Sequence, residues 1–212
     1  RAHTAFSFGD GAVSPEVLVT RAAELGYHAI GITDSADLGA MVRAKLEADR
    51  AGIKLIVGTE LRVDGRPLAV IARDIHGCRN LASLITRARV GSLRHWSPTN
   101  RQRKRGMPSV SWSHVAERAA GLHLLTGPAS GTIAQLVCSG EREAAERTLH
   151  EWREAFGGRI AVEVQRHRGS GDEGALAGAL VDLARRAETP WVVCNDPRYL
   201  DDDSRLVHDM LT

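Results

Sequence analysis

The sequence predicts an α/β domain in which short buried strands alternate with amphipathic helices. Two observations carry that prediction. Short apolar runs recur along the 212 residues, and most are followed by a stretch with helical spacing. Several of those runs also end in a carboxylate or lie beside an imidazole, as strands that present a pocket at their C-terminal ends do. Such alternation implies parallel strands joined by right-handed crossovers. Periodicity alone leaves both an open doubly wound sheet and a barrel available.

Taken in order, Ser14, Pro15 and Glu16 make a strong helix start: a capping hydroxyl, a proline at the first helical position and an acid at the positive dipole end. Val17, Leu18, Ala22 and Leu25 keep helical spacing until Gly26 ends it. Ala29–Thr33 reads as a buried strand that delivers Asp34. A helix over about 38–50 and a strand over 54–57 repeat the cycle. Further strands are expected at 68–72, 122–126, 160–164 and 191–194. Further helices are expected near 77–89, 113–119, 141–155, 175–187 and 204–211. With a truncated strand at the start, the total is about seven strands. Residues 91–111 break the rhythm. They carry no apolar period, two X-Pro pairs and the run Arg101-Gln102-Arg103-Lys104-Arg105, and they read as a long basic excursion.

The bulk properties exclude several classes. A 43% hydrophobic content fits a globular core, and with only 4% aromatics Leu, Val, Ile and Ala must fill it. The net charge of +2 is too small to imply a polyanion partner by itself. Three scattered cysteines without a CxxC pair argue against a disulfide framework or a structural zinc site and fit a reducing cytoplasm. No apolar run approaches the roughly 18 residues of a membrane span, and no signal-peptide pattern is present. The opening at Arg1 and the end just after a helix-like stretch read as cuts from a longer protein.

The strand ends supply His3, Asp10, Asp34, Glu60, the Thr126-Gly127 turn, His167 and Asn195-Asp196. Carboxylates and imidazoles converging on one face suit divalent metals, which polarise phosphoryl oxygens and activate water. Plainer roles compete with that one. Asp34 reads as the cap of a helix starting at Ala36-Asp37-Leu38. Tyr27, Trp152 and Trp191 read as core fillers, and Cys194 as a small buried hydrophobe. His167 reads as solvated, and His208-Asp209 as docking the last helix. For Arg101, Arg103, Lys104 and Arg105 the alternatives are a solvated loop and contact with phosphates, whose strength would fall steeply with salt.

The order of motifs resembles a known family. Arg1-Ala2-His3-Thr4-Ala5-Phe6-Ser7-Phe8 with Asp10-Gly11 is similar to the first motif of PHP (polymerase and histidinol phosphatase) domains. Gly31-Ile32-Thr33-Asp34, the stretch ending Gly58-Thr59-Glu60, Gly77-Cys78-Arg79-Asn80-Leu81, Val162–His167 and Cys194-Asn195-Asp196-Pro197-Arg198-Tyr199 continue the series. The set resembles the N-terminal PHP domain of bacterial DNA polymerase III alpha subunits. The stretch 84–89 and the basic excursion lean toward the error-prone, translesion branch.

The resemblance implies one PHP domain over 1–212, folded as a distorted (β/α)7 barrel with a manganese or zinc centre. It also implies a magnesium-dependent parent polymerase that supplies the rest of the chain and the DNA contact. At four positions the family's ligand pattern is broken. Arg1 stands where the first His of a His-x-His pair belongs, Ser35 replaces a His, Pro128 replaces a Cys and Arg198 replaces a His. His3, Asp10, Glu60 and Asp196 stay in register. Arginine cannot ligate a metal because its guanidinium stays protonated. Arg1 and Arg198 are therefore expected to pair with Asp10, Glu60 or Asp196, leaving a non-catalytic scaffold domain with no metal expected unless the site is active. The alternative is an active metal-dependent phosphoesterase or 3′-5′ exonuclease that uses His3, Asp10, Glu60 and Asp196.

Overall fold

The computed structural model describes residues 1–93, 108–167 and 173–211. In chain order its elements are α1 (Pro15–Glu24), β1 (Ala29–Ile32), α2 (Met41–Ala51), β2 (Lys54–Val63), β3 (Arg66–Ala72), α3 (Ile75–Leu93), β4 (Ser109–Val110), α4 (Trp112–Glu117), β5 (Leu122–Leu125), α5 (Thr132–Cys138), α6 (Arg142–Ala155), β6 (Ile160–Val164), α7 (Glu173–Arg186), β7 (Trp191–Val193) and α8 (Asp202–Leu211). The chain forms two compact units, Arg1–Glu60 with Asn195–Thr212, and Leu61–Cys194. No helix among the described residues is long and apolar enough to cross a membrane.

In the first unit, α1 starts as its sequence requires, with the Ser14 hydroxyl accepting from the Val17 amide. β1 pairs in parallel with the first half of β2, Ala29 opposite Lys54 and Ile32 opposite Val57. Ala40, Ala44 and Ala48 are fully buried at one-turn spacing, so α2 lies close against Leu18 and Val19 of α1 and Ile32 of β1. Gly52 closes α2 in the left-handed conformation. The helix starts at Met41 rather than near Leu38, because Asp37 turns the chain first by accepting from the Gly39 amide. α8 begins two residues earlier than expected. Asp201 accepts from the Ser204 amide while the Ser204 hydroxyl accepts from the Asp201 amide, a reciprocal cap.

The second unit departs from the all-parallel expectation. Asp64 (φ 49°) and Gly65 (φ 85°) form a two-residue loop between β2 and β3, which are neighbours in the sheet. Only antiparallel strands can be joined that tightly. β3 also pairs antiparallel with β5, while β5–β6 and β6–β7 are parallel. β4, absent from the expected strands, adds in parallel to Arg62 and Val63.

α5 was not expected either. The basic excursion is shorter than 91–111, since α3 continues through Leu93 and β4 begins at Ser109. Arg101, Arg103, Lys104 and Arg105 lie outside the described residues. Leu68, Leu81, Leu84, Leu122, Leu124, Ile133, Leu149, Phe156, Ile160 and Leu183 fill this unit's core.

Of the aromatic residues expected in the core, Trp152 is buried and stacks on Trp112 at 4.8 Å. Tyr27 and Trp191 are not core residues, being 60% and 45% exposed. Tyr27 follows Gly26, which turns the chain at φ 78°, and Trp191 lies on β7, which ends the sheet order. Cys194 is buried beside Ala69, Leu125 and Ala161.

Candidate metal centre

The site lies wholly within the first unit. Ala2 bridges in parallel to Ile32, and the His3 amide donates to the Pro197 carbonyl, so His3 is set beside the end of β1 and is fully buried. From Thr4 the chain makes a tight loop in which the Asp10 and Gly11 amides both donate to the Ser7 carbonyl. The Ala12 amide then donates to the Arg198 carbonyl, bringing Asp10 alongside Arg198. A short bridge between Ser35 and Glu60 fixes Glu60 next to Asp34. Asp196 is 3% exposed and holds φ 47°. That left-handed conformation is tolerated by Asp better than by most residues and persists only where neighbours impose it.

Asp34 does not cap a helix. Its fully buried carboxylate accepts from the Thr4 amide at 2.6 Å, the Thr4 hydroxyl at 2.7 Å and the Ser7 hydroxyl at 2.7 Å. Three donors to one carboxylate satisfy its buried charge, and they tie the loop after His3 to the end of β1. The Ser7 hydroxyl spends its proton on Asp34. The His3 Nδ1 beside it, 3.0 Å from Ser7 Oγ and 3.0 Å from Asp10 Oδ2, therefore carries hydrogen toward those acceptors. Residue-by-residue reading missed Thr4 and Ser7, although both stand in the quoted first motif.

Arg1 and Arg198 both reach into this cluster. Arg1, with a side chain 1% exposed, donates to Glu60 Oε2 at 2.8 Å and lies 3.0 Å from Asp196 Oδ2. Its Nη1 is also 3.3 Å from His3 Nε2. Arg198 donates to Asp10 Oδ1 at 2.6 Å and Asp196 Oδ2 at 3.0 Å. The Ser35 amide donates to Ser7 Oγ. Pro128 and His167 belong to the second unit. The Pro128 carbonyl accepts from the Gly131 amide, and His167 is exposed beside Gln165.

Burial pushes the Asp10 carboxyl up, but the hydrogen bonds from His3 and Arg198 and the Arg198 charge outweigh it, holding the group at about 2 against an ordinary 3.8. Burial likewise opposes the Arg198 charge, and Asp196 and Asp10 more than restore it, so its pKa is raised. A depressed carboxyl stabilises the fold fully above its unfolded value, and this is lost as pH falls through the folded one. Asp10→Asn is therefore expected to cost about 1 kcal/mol near pH 7, after allowance for its solvent exposure. Urea denaturation should show the gap to wild type closing between about pH 4 and pH 2. A gap that stays constant across that range would mean that Asp10 contributes no charge pairing.

His3, Glu60 and Asp196 each present a donor atom, all within 4.8 Å of one another, which is a spacing one metal ion could bridge. The fit fails on the fourth neighbour. Arg1 donates to the same Glu60 oxygen, and a divalent ion there would sit against a fixed, solvent-excluded cation. These residues do not suit a metal while Arg1 is present.

Comparison with known proteins agrees with this architecture. The model of the PHP domain family matches residues 1–167. An error-prone DNA polymerase of Anaeromyxobacter sp. strain K is 37% identical over 219 residues, covering all of this chain and 18% of the relative. A DNA polymerase III subunit alpha of Pseudomonas aeruginosa is 34% identical, covering 99% of this chain and 18% of the relative. The chain thus spans about a fifth of the length of these relatives. A Bifidobacterium adolescentis protein assigned as a metal-dependent phosphoesterase shares the fold, with a TM-score of 0.61 at 16% identity over all of this chain and 94% of its own. With the motif order, the fold and the family match in agreement, this chain belongs to the PHP domain family and has its sequence relatives among error-prone DNA polymerases and DNA polymerase III alpha subunits.

Proposed function

We propose that residues 1–212 form one PHP domain at the N-terminus of an error-prone, cytoplasmic DNA polymerase III alpha chain, where it acts as a scaffold without phosphoesterase activity. In this reading, magnesium-dependent, translesion DNA synthesis belongs to the remainder of the parent chain, which also provides the DNA contact. The observation that carries the reading is Arg1, whose buried guanidinium takes the oxygens of Glu60 and Asp196 that a hydrolytic metal would need.

Three donors within 4.8 Å of one another keep one rival in play, a working metal phosphoesterase or 3′-5′ exonuclease. The test is manganese- and zinc-supplemented turnover of a phosphate monoester and of a 3′-labelled primer by the 212-residue chain. We expect no hydrolysis above background and no primer extension. Hydrolysis abolished by Asp196→Ala would refute the scaffold reading in favour of the phosphoesterase.

A further inference from the structure

We propose that Arg1 and Arg198 are resident cations, the structural counterpart of bound metal, and that removing Arg1 makes the stability of this unit depend on a divalent ion. The proposal rests on the scaffold reading and goes beyond it. It says what holds three carboxylates and an imidazole together in a largely solvent-excluded cluster.

The charges form a continuous chain. Glu60 Oε2 meets Arg1 at 2.8 Å, and Arg1 meets Asp196 Oδ2 at 3.0 Å. The same Asp196 oxygen meets Arg198 at 3.0 Å, and Arg198 meets Asp10 at 2.6 Å. The order is anion, cation, anion, cation, anion, with one carboxylate oxygen shared between two guanidinium groups. His3 bridges the chain from inside, with Nδ1 3.0 Å from Asp10, and Nε2 3.4 Å from Asp196 Oδ1 and 3.9 Å from Glu60. Among the described residues, the buried Asp196 Oδ1 receives no hydrogen bond, and His3 Nε2 stands 3.4 Å from it.

Remove the Arg1 side chain and Glu60, Asp196 and His3 lose the cation between them while remaining within 4.8 Å of one another. Glu60 would then have lost its arginine and Asp196 would keep only Arg198, and a largely buried carboxylate stripped of its cation is destabilising. A small divalent cation bound by the folded chain alone would then relieve it by mass action.

Thermal melting of the 212-residue chain tests this, with EDTA, zinc chloride or manganese chloride as the added component. Wild type should melt within about 1 °C under all three conditions, since a chain with no site gains nothing from a ligand. Arg1→Ala should melt roughly 5–10 °C lower in EDTA and recover at least half of that in excess zinc or manganese. Arg1→His, which adds an imidazole donor, should respond to metal in the same direction, and it decides the matter if Arg1→Ala fails to fold. Arg1→Lys keeps a cation and should stay insensitive to metal.

Metal-blind melting by both Arg1→Ala and Arg1→His would overturn the resident-cation proposal and leave the scaffold reading intact. A metal response by Arg1→Lys equal to that of Arg1→Ala would also overturn it, because charge would then not be the deciding property. A wild-type gain of several degrees with metal would overturn both readings together.

Discussion

Asp34→Ala is expected to lower the stability of the chain by about 3–5 kcal/mol, a fall of roughly 10–15 °C in melting temperature for a protein of this size. Asp34 accepts three hydrogen bonds at 2.6–2.7 Å from Thr4 and Ser7 and is fully buried. Bonds to a charged acceptor are each worth about 1.5–3 kcal/mol, and deleting the acceptor takes the partner from one backbone N–H and two hydroxyl protons. The damage should not stay at residue 34. The Ser7 hydroxyl also accepts from the Ser35 amide and stands 3.0 Å from His3 Nδ1, so a displaced Ser7 releases the imidazole at the centre of the cluster.

Asp34→Asn provides the internal comparison. It retains one carbonyl acceptor but turns an NH2 toward groups that already donate, and it should lose about 2 kcal/mol. Calorimetric melting of the two variants decides the point. A loss below about 1 kcal/mol for Asp34→Ala would show that the loop after His3 is held by something other than this carboxylate.

The misreading of Asp34 shows where sequence reasoning runs out. A carboxylate just before a helix is ordinarily paired with the nearest amides ahead of it, and local rules count only those. Here the donors come from 27 and 30 residues earlier in the chain, and nothing in the spacing around Asp34 reports them. The helix at Pro15–Glu24 was legible because its start is encoded within three residues, and β1 was legible because four apolar or small residues stand between clear breakers.

The antiparallel turn at Asp64-Gly65 was legible in principle, since Asp-Gly is a dipeptide that a two-residue hairpin loop favours. β4 was not legible. Two residues carry no period, and the strand exists only through its pairing with Arg62 and Val63, 47 positions away in the chain. In the site, the ordered motifs brought out His3, Asp10, Glu60 and Asp196 and the substitutions Arg1 and Arg198. They gave no hint that both arginines would share one oxygen of Asp196.

Gly11→Ala should destabilise the chain by about 3 kcal/mol, near the upper end for a single added methyl, because the methyl has nowhere to go. A Cβ on residue 11 would lie 1.9 Å from the Thr4 carbonyl oxygen and 2.4 Å from its carbon, both backbone atoms that cannot rotate aside. The close approach is a product of the loop itself. The Asp10 and Gly11 amides converge on the Ser7 carbonyl, and the Ala5 amide donates to Val13, so the two limbs of the loop are drawn together at Thr4 and Gly11.

Relief requires opening that loop, which moves Asp10 away from Arg198 and His3. The variant should therefore lose the acid-dependent stability assigned to Asp10 as well as stability at neutral pH. Gly178 offers the matched control. It lies in α7, a Cβ there meets nothing within 4 Å, and Gly178→Ala should gain about 0.5–1 kcal/mol from helix propensity alone. Opposite signs for one chemical change, read from the same urea titration, would separate crowding from conformational entropy. Equal signs would mean that the Thr4–Gly11 approach does not constrain the loop.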